Sequence, residues 1–267
     1  FAAGMAARGL RPVVAVYSTF IQRAVDSVIH DVCFQNLPVV FVLDRAGFVN
    51  DDGETHQGMF DISLFRSVPN ITILAPAGRE ELIRMLEWAL ASEGPSLIRY
   101  PKDVCPPWDP AFSLPLEKGR GVWIRRNSGT GGDVCICFTG SLCLQVLDAA
   151  ERLGAMGIDA DLYNLRFIKP VDEDYLFGLM NSYRLVVFAE EGMQAGGFGE
   201  YGAALMRNCS CRVLVLAAPE AFEGLGKRHE LLRANGLDGE GIAAAVSAAL
   251  VREEQVLIRS GAERAGQ

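Results

Sequence analysis

An aromatic ring and a guanidinium lie three residues apart, directly after the first predicted strand. The segment Tyr17-Ser18-Thr19-Phe20-Ile21-Gln22-Arg23 follows an apolar run and opens a stretch with helical spacing. Ligands of parallel α/β sheets bind at the carboxyl ends of the strands. Residues three apart share one face of a helix, so Phe20 and Arg23 are predicted to be neighbours. Such a pair suits a flat heterocycle beside an anion; the alternative is a core aromatic residue beside a surface arginine.

Two further arginines follow predicted strands. Arg45 comes after the apolar run 38–43, and Arg99 lies at the end of the run 96–100. If Arg23, Arg45 and Arg99 converge at one edge of the sheet, their guanidinium groups form a site for phosphate or carboxylate, because each offers paired donors to such oxygens.

An acidic loop with a histidine follows Arg45. Its sequence is Asp51-Asp52-Gly53-Glu54-Thr55-His56-Gln57-Gly58, and His56 is one of only three histidines. An imidazole titrates near neutral pH, so His56 could move a proton or bond a substrate oxygen. The alternative is a solvated turn, which Asp-Gly favours. The loop lacks the alternating acids of a calcium site, so its spacing does not predict a metal.

Strand and helix signals alternate along both halves of the chain. The predicted strands are 13–17, 38–43, 71–74, 96–100, 134–138, 158–163, 185–189 and 213–216. The predicted helices are one capped by Ser18 or Thr19, 80–90, one capped by Ser141 that ends at Leu153, 172–180, 199–206 and 242–251. This alternation predicts an α/β protein of two domains, each a mostly parallel sheet covered by helices.

Prolines interrupt the alternation between residues 101 and 120 and predict a stiff linker. We therefore expect a first domain at 1–102, a linker at 103–120, a second domain at 121–252 and a polar tail at 253–267. The chain starts on small apolar residues without methionine. We expect these first residues to belong to the interior of a helix.

Composition excludes several classes of partner. The 267 residues carry a net charge of −8 without a block of Lys and Arg, so nucleic acid is not expected. No apolar run reaches the roughly 18–20 residues of a membrane span, so no membrane partner is expected. The seven cysteines lie mostly within apolar runs. They are predicted to be reduced and buried as small apolar residues, in a cytoplasmic protein.

A glycine motif in the second half has the form of a dinucleotide fingerprint. It reads Gly197-Phe198-Gly199-Glu200-Tyr201-Gly202. A fingerprint begins where a strand ends, whereas seven residues separate this motif from the predicted strand at 185–189. We therefore expect close packing of a helix, not NAD binding.

Several short motifs occur in order along the chain. The first half contains Tyr17-Ser18-Thr19-Phe20-x-Gln22-Arg23, Val28-Ile29-His30-Asp31-Val32, Asp44-Arg45-Ala46-Gly47, Asp52-Gly53-x-Thr55-His56-Gln57-Gly58 and Arg99-Tyr100-Pro101. The second half contains Leu165-Arg166-Phe167-Ile168-Lys169-Pro170-Val171-Asp172, then Glu190-Glu191-Gly192 and Gly196-Gly197-Phe198-Gly199. Together these motifs resemble the 1-deoxy-D-xylulose-5-phosphate synthases, thiamine-diphosphate enzymes of the transketolase superfamily. The resemblance extends to about residue 250.

The resemblance implies an activity and roles for particular residues. The family joins pyruvate to D-glyceraldehyde 3-phosphate with loss of CO2, which gives 1-deoxy-D-xylulose 5-phosphate for isoprenoid, thiamine and pyridoxal biosynthesis. By this resemblance Phe20 would stack on the aminopyrimidine of thiamine diphosphate, and Asp52 and His56 would bond intermediates and assist proton transfer. The acceptor's phosphate would be bound by Tyr17, Arg23, Arg45 and Arg99. A homodimer is implied as well.

The sequence departs from the family pattern at two places. The family's diphosphate-binding domain, which holds Mg²⁺, precedes the segment that this chain resembles. We therefore expect this chain to lack both the Mg²⁺ site and the glutamate that protonates the pyrimidine ring. On its own it is expected to be inactive. Near the end, a Pro-Asp-x-Phe stretch followed by His-Gly is replaced by Pro219-Glu220-Ala221-Phe222-Glu223-Gly224-Leu225-Gly226. Two alternatives stay open: the C-terminal subunit of a split transketolase-type enzyme, and a non-catalytic dimerising module.

Overall fold

A computed structural model describes residues 1–127 and 132–264. The strands in this part of the chain are β1 (Val13–Tyr17), β2 (Val40–Asp44), β3 (Thr72–Leu74), β4 (Ser96–Arg99), β5 (Val122–Arg125), β6 (Val134–Phe138), β7 (Ala160–Asn164), β8 (Phe167–Lys169), β9 (Leu185–Met193) and β10 (Arg212–Ala218). The α-helices are α1 (Ala2–Ala7), α2 (Ser18–Ile21), α3 (Val25–Ser27), α4 (Asp61–Phe65), α5 (Arg79–Ala91), α6 (Cys143–Ala155), α7 (Glu173–Met180), α8 (Phe198–Leu205), α9 (Arg228–Ala234) and α10 (Gly239–Arg264).

These strands form two five-stranded sheets, in the orders β1-β2-β4-β3-β8 and β10-β9-β6-β7-β5. All pairs are parallel except β3 with β8 and β5 with β7, which are antiparallel. The predicted class, an α/β protein with two mostly parallel sheets covered by helices, is confirmed. The sequence did not predict that β8, which follows β7 of the second sheet, completes the edge of the first sheet.

Successive residues of the central strands pack into different parts of the core. In the first sheet, Phe41 and Leu97 belong to one apolar cluster, while Val40 and Ile98 belong to another. Side chains of a strand alternate between its two faces, so both faces of this sheet are buried. This double burial explains why the strands read as continuous apolar runs.

The helical segment after β1 changes its geometry twice. A 3-10 turn at Gln22–Ala24 joins α2 to α3, and Val28–Cys33 forms a π-helix. The predicted cap is wrong, because Tyr17 is the N-cap residue of α2 and no side chain caps it. The hydroxyls of Ser18 and Thr19 instead donate to the carbonyl oxygens of Gly58 (3.4 Å) and Thr55 (2.9 Å).

Other helix boundaries also differ from the prediction. Ser141 lies within a 3-10 turn at Gly140–Leu142, so the predicted cap of α6 is wrong as well. Helix α10 extends far beyond the predicted 242–251. Of the predicted polar tail, residues 265–267 lie outside the described part of the chain. Among the described residues, no helix has the length and apolar character needed to cross a membrane.

The cysteines follow the prediction only in part. Cys135 and Cys137 are fully buried, and burial raises the pKa of the Cys135 thiol well above its usual value. The prediction of reduced thiols is wrong for Cys209 and Cys211, which form a disulfide. Their Cα atoms lie 5.2 Å apart on the turn before β10, within the range that a disulfide can bridge.

Candidate active site

Three rings meet where β1 ends. Tyr17 is the last residue of β1, and its ring stacks on that of Phe20 at 5.4 Å and 11°. The imidazole of His56 meets Phe20 edge-on, also at 5.4 Å. The side chain of Phe20 remains 36% exposed, which is high for an aromatic residue packed between two rings. The arrangement therefore presents aromatic surface at the carboxyl end of the strand.

Two guanidinium groups lie on this stack. The Cζ atom of Arg45 is 3.8 Å from the centre of the Tyr17 ring, and that of Arg23 is 5.6 Å from the centre of Phe20. The predicted contact between Phe20 and Arg23 is thus confirmed. Arg45 also pairs with Asp44, and its Nε atom lies 3.9 Å from Asp52. Two cations and an aromatic surface together suit a ligand that combines a flat ring with negative charge.

Arg99 does not join this cluster. It is only 1% exposed, because its Nε donates to Asp61 at 2.9 Å and its Nη2 to the backbone oxygen of Glu191 at 2.8 Å. The guanidinium of Arg99 thus turns inward to Asp61, the first residue of α4, and the predicted convergence of three guanidinium groups stays a prediction. The buried carboxylate of Asp61, which the sequence analysis did not single out, directs it there. The Nη1 atom of Arg99 has no hydrogen-bond partner among the described residues.

Residues 44–58, here called the site loop, carry Arg45, Asp52 and His56. Arg45 (φ 59°) and Asp51 (φ 57°) lie in the left-handed region, which is costly for residues with a Cβ atom. The loop closes on itself, because Gly47 and Gly58 exchange two backbone hydrogen bonds of 2.8 Å. The contacts of the loop thus hold its backbone in a conformation that the sequence alone disfavours.

Gln57 fixes the inside of the site loop. Its Oε1 accepts from the backbone nitrogen of Val49 at 2.8 Å, and its Nε2 donates to the backbone oxygen of Gly224 at 3.3 Å. The amide thereby joins both arms of the loop to the second half of the chain. Gln57 was visible in the sequence as part of a motif, but only the structure shows what it contacts.

A groove of about 280 Å³ borders the site loop and the helical segment after β1. Thr19, Arg23 and Thr55 line one side, and Phe222 of the divergent segment 219–226 lines the other. Phe222 is 81% exposed, and its ring meets that of Phe60 edge-on, with ring centres 6.1 Å apart. The divergent segment therefore forms a wall of the groove beside the aromatic stack.

The position of Glu190 explains why the motif at residues 197–202 contains glycines. Its carboxylate accepts from the backbone nitrogens of Phe198 (2.9 Å) and Gly199 (2.7 Å) at the start of α8. A Cβ atom on Gly197 would lie 2.4 Å from Glu190 Oε1, and one on Gly202 would lie 2.7 Å from the Phe188 ring. The predicted close packing of this helix is confirmed. Burial raises the pKa of Glu190 to about 7, although these two N–H groups and Arg99 lower it in part.

No group of three or more His, Cys, Asp and Glu side chains in the described ranges is arranged to hold a metal ion. Arg228, which no sequence motif indicated, contacts the buried carboxylate of Glu191 through its guanidinium. Arg228 lies in α9, for which the apolar spacing gave no signal.

Comparisons with protein families match both halves of the chain. Residues 1–107 match the family described as "Transketolase, pyrimidine binding domain", and residues 124–252 match "Transketolase, C-terminal domain". The chain is 52% identical over 249 residues to the 1-deoxy-D-xylulose-5-phosphate synthase of Treponema pallidum (strain Nichols), and 42% identical over 256 residues to synthase 1 of Geobacter sulfurreducens. These alignments cover 91% and 94% of this chain but 39% of each relative. The chain thus spans about two fifths of these relatives' length.

Solved structures share the same fold. A chain titled "Split gene transketolase, inactive beta4 tetramer" superposes with a TM-score of 0.81 at 28% identity, covering 94% of this chain and 79% of that one. The transketolase of Campylobacter jejuni superposes with a TM-score of 0.72 at 16% identity, covering 92% of this chain and 37% of that one. At this lower identity the likeness shows the fold alone.

Proposed function

The chain belongs to the transketolase superfamily, in the branch of the 1-deoxy-D-xylulose-5-phosphate synthases, and on this basis we propose that it is the pyrimidine-binding and C-terminal part of such a synthase. The complete enzyme would condense pyruvate with D-glyceraldehyde 3-phosphate to 1-deoxy-D-xylulose 5-phosphate and CO2, and would work as a homodimer. Because the chain spans 39% of its relatives' length, the proposal assigns no activity to this part alone.

The aromatic stack under two arginines carries the proposal. Phe20 is exposed enough to stack on the aminopyrimidine of thiamine diphosphate. The Nε of Arg45 and the Nη1 of Arg99 are buried nitrogens without a hydrogen-bond partner among the described residues, so each has a donor to offer an anion. These features fit the pyrimidine end of the cofactor beside a phosphorylated acceptor. When bound, thiamine diphosphate supplies the electron sink for decarboxylating a 2-oxo acid.

The chain's own residues would bind the acceptor and handle protons. Arg23 and Arg45 would pair with the acceptor's phosphate. The ring of Tyr17, which lies against the guanidinium of Arg45, would hold that guanidinium in place. Arg99 would contribute the N–H donors of its Nη1 atom from the buried side. Asp52 and His56 would bond substrate oxygens, and the half-buried imidazole would move a proton at the acceptor carbonyl. By the resemblance, the Mg²⁺ ion and the cofactor's diphosphate would bind to a domain outside this chain.

The test is product formation by the full-length protein that contains this chain. With thiamine diphosphate, Mg²⁺, pyruvate and D-glyceraldehyde 3-phosphate, we expect 1-deoxy-D-xylulose 5-phosphate, measured by mass spectrometry. Phe20→Ala should weaken cofactor binding about tenfold or more, because base–aromatic stacking contributes on the order of 1–3 kcal/mol. Phe34→Ala, which removes an equally large exposed ring outside the site, is the control. Absence of product from the full-length protein with cofactor would refute the proposal.

A split enzyme is the second candidate function. The neighbour titled as a split-gene transketolase has a chain of comparable extent, since 79% of it is covered. In that case this chain would borrow its diphosphate domain from a separate polypeptide. The intact mass of the protein from its source cell discriminates between the two. A mass near that of 267 residues, with activity only after a partner is added, would favour the split enzyme. Inactivity with every partner would leave the non-catalytic module.

A further inference from the structure

Two buried glutamates link the two halves of the chain, and the proposed reaction uses neither of them. Glu81 on α5 pairs with Arg166, which follows β7. Glu191 on β9 pairs with Arg228 on α9. Both carboxylates are 0% exposed. The two pairs are chemically alike, but they differ in what else they contact.

Glu191 contacts the backbone of the site loop. Its Oε1 accepts from the backbone nitrogen of Phe48 at 2.9 Å and from Arg228 Nε at 2.9 Å, while its Oε2 accepts from Arg228 Nη2 at 2.5 Å. A Cβ atom on Gly47 would lie 2.4 Å from Glu191 Cδ, so the loop packs directly on this carboxylate. One buried side chain thus fixes the loop just after Arg45.

Arg228 extends the same connection. Its backbone nitrogen donates to Asn50 Oδ1 at 2.5 Å, its Nη2 donates to the backbone oxygen of Ser141 at 3.0 Å, and its Nη1 pairs with Asp103. The backbone nitrogen of Arg228 therefore contacts the site loop, while its guanidinium contacts the turn before α6 and the residues after β4. Its geometry depends on Glu191, which accepts two of its N–H groups.

The residues just before Arg228 contact the far side of the site loop. The backbone oxygen of Gly226 accepts from the nitrogen of Asp51 at 3.1 Å, and that of Gly224 accepts from Gln57 at 3.3 Å. These two contacts flank Asp52 and His56. Residues of the second half therefore hold the loop by hydrogen bonds at residues 48, 50, 51 and 57.

We propose that Glu191 is a positioning residue: through Arg228 and the residues before it, Glu191 sets the placement of Arg45, Asp52 and His56 on the site loop. The second half of the chain thereby controls the site that the first half carries. What the loop binds rests on the proposed function, whereas the placement of the loop does not. The experiment separates the two.

The first measurement is hydrogen–deuterium exchange of the full-length protein that contains this chain. Glu191→Gln puts an amide N–H₂ where Arg228 needs an acceptor, and removes the charge that balances it. We expect amide exchange across residues 47–57 to become about tenfold faster. The matched control is Glu81→Gln, whose wild-type carboxylate instead accepts from Ala77, Asn164 and Arg166, all outside the site loop. Exchange at 47–57 should stay within about twofold of wild type there.

A second variant covers the case in which Glu191→Gln does not fold. Asn50→Ala removes only the loop's acceptor for the backbone nitrogen of Arg228 and leaves both buried charges paired. It should fold and still speed exchange at residues 50–53 several-fold. Unchanged exchange in Asn50→Ala and in any folded Glu191→Gln protein overturns the proposal, as does equal opening of the loop in Glu81→Gln.

The kinetic readout follows on the same proteins. Asn50→Ala should raise the KM for D-glyceraldehyde 3-phosphate several-fold and leave kcat within about twofold, because a loosened loop binds the acceptor less well but keeps its chemical groups. Loop opening without any synthase activity in the wild-type protein supports the positioning role and refutes the proposed function. Synthase activity with an unchanged KM in Asn50→Ala refutes the positioning role alone.

Discussion

Arg45 and Arg99 lie at the carboxyl ends of two neighbouring strands, and a different carboxylate gives each its surroundings. Asp44 pairs with Arg45, whose guanidinium lies over the ring of Tyr17, whereas Asp61 draws Arg99 into the interior. A guanidinium on a ring keeps donors for a ligand, while one in a buried ion pair serves stability first. The same residue type at the same kind of strand end thus has two different surroundings.

The buried ion pair of Arg99 and the exposed position of Arg23 predict different losses of stability for the same substitution by lysine. Arg99→Lys should lower the free energy of unfolding by about 2–4 kcal/mol, because an ammonium group cannot bridge Asp61 and the Glu191 carbonyl as the planar fork does. Arg23→Lys should change it by less than about 0.5 kcal/mol, since Arg23 is exposed. Urea denaturation measures both.

Arg23→Lys should instead raise the KM for the phosphorylated acceptor, because a forked contact becomes a point charge. An unchanged acceptor KM in this variant would remove Arg23 from the proposed phosphate site.

Glu190 predicts a pH dependence of stability. Burial raises its pKa from 4.5 to about 7. Between these two values the folded protein holds a proton that the unfolded chain releases. Stability should therefore decrease as pH rises from 4.5 to 7 and level off above 7, by up to about 3 kcal/mol relative to Glu190→Gln.

Urea denaturation at several pH values between 4.5 and 8 measures this slope. Glu87→Gln, which makes the same change on the exposed face of α5, should keep the wild-type slope. Parallel curves for Glu190→Gln and wild type would contradict the prediction.

At the scale of elements, the site loop depends on close approach between its backbone and the second half. Gly47 has φ 83° and would place a Cβ atom 2.4 Å from Glu191. Gly157 has a similar φ of 78°, but a Cβ atom there would meet nothing within 4 Å. An alanine at either position would have a strained backbone, but only at Gly47 would its Cβ atom also clash with another residue.

We expect Gly47→Ala to cost about 2–4 kcal/mol, because overpacking adds to the left-handed strain, and Gly157→Ala to cost about 1 kcal/mol. Thermal unfolding compares the two variants. Equal losses of stability in the two variants would mean that Glu191 moves aside without a cost in free energy. The loop would then not require this close approach.

The divergent segment 219–226 forms the other element of the site. Phe222→Ala should leave stability within about 0.5 kcal/mol of wild type, because the ring is exposed, while changing the KM of the substrate that occupies the groove. Phe34→Ala, at an equally exposed ring outside the groove, should change neither quantity. Steady-state kinetics on the full-length protein would show whether Phe222 lines an occupied groove.

At the scale of the whole molecule, the two halves share both a sheet and a core. Strand β8 adds to β3 of the first sheet, and Phe167 packs in the apolar cluster of that sheet. Arg166 neutralises the buried carboxylate of Glu81. Removing the second half would therefore expose the edge of β3 and part of its apolar core, and would leave Glu81 without its arginine.

A protein that ends at residue 120 is accordingly expected to lack a cooperative unfolding transition. It would lose the edge strand β8 and keep Glu81 without its cation, an uncompensated buried charge that costs several kcal/mol. Thermal circular dichroism of residues 1–120 and of residues 1–251 measures the difference. Cooperative unfolding of the shorter protein would show that the first half folds independently.

The sequence by itself determined the class of fold and the contact between Phe20 and Arg23. Runs such as 134–138 are apolar throughout because both faces of the sheet are buried, and that pattern is local. The spacing of Phe20 and Arg23 fixed their contact for the same reason, since three residues along a helix bring side chains together. Motif order supplied the family, which the comparisons bear out.

Only the tertiary structure decided where Arg99 points, what Glu191 holds and where β8 pairs. These outcomes depend on partners far away in the chain: Asp61 for Arg99, Phe48 and Arg228 for Glu191, and β3 for β8. Residue type and spacing do not predict such partners, because contacts between residues far apart in the chain depend on how the two sheets pack. Short stretches of sequence therefore indicate which residues form the site, whereas contacts between the two halves determine how those residues are placed.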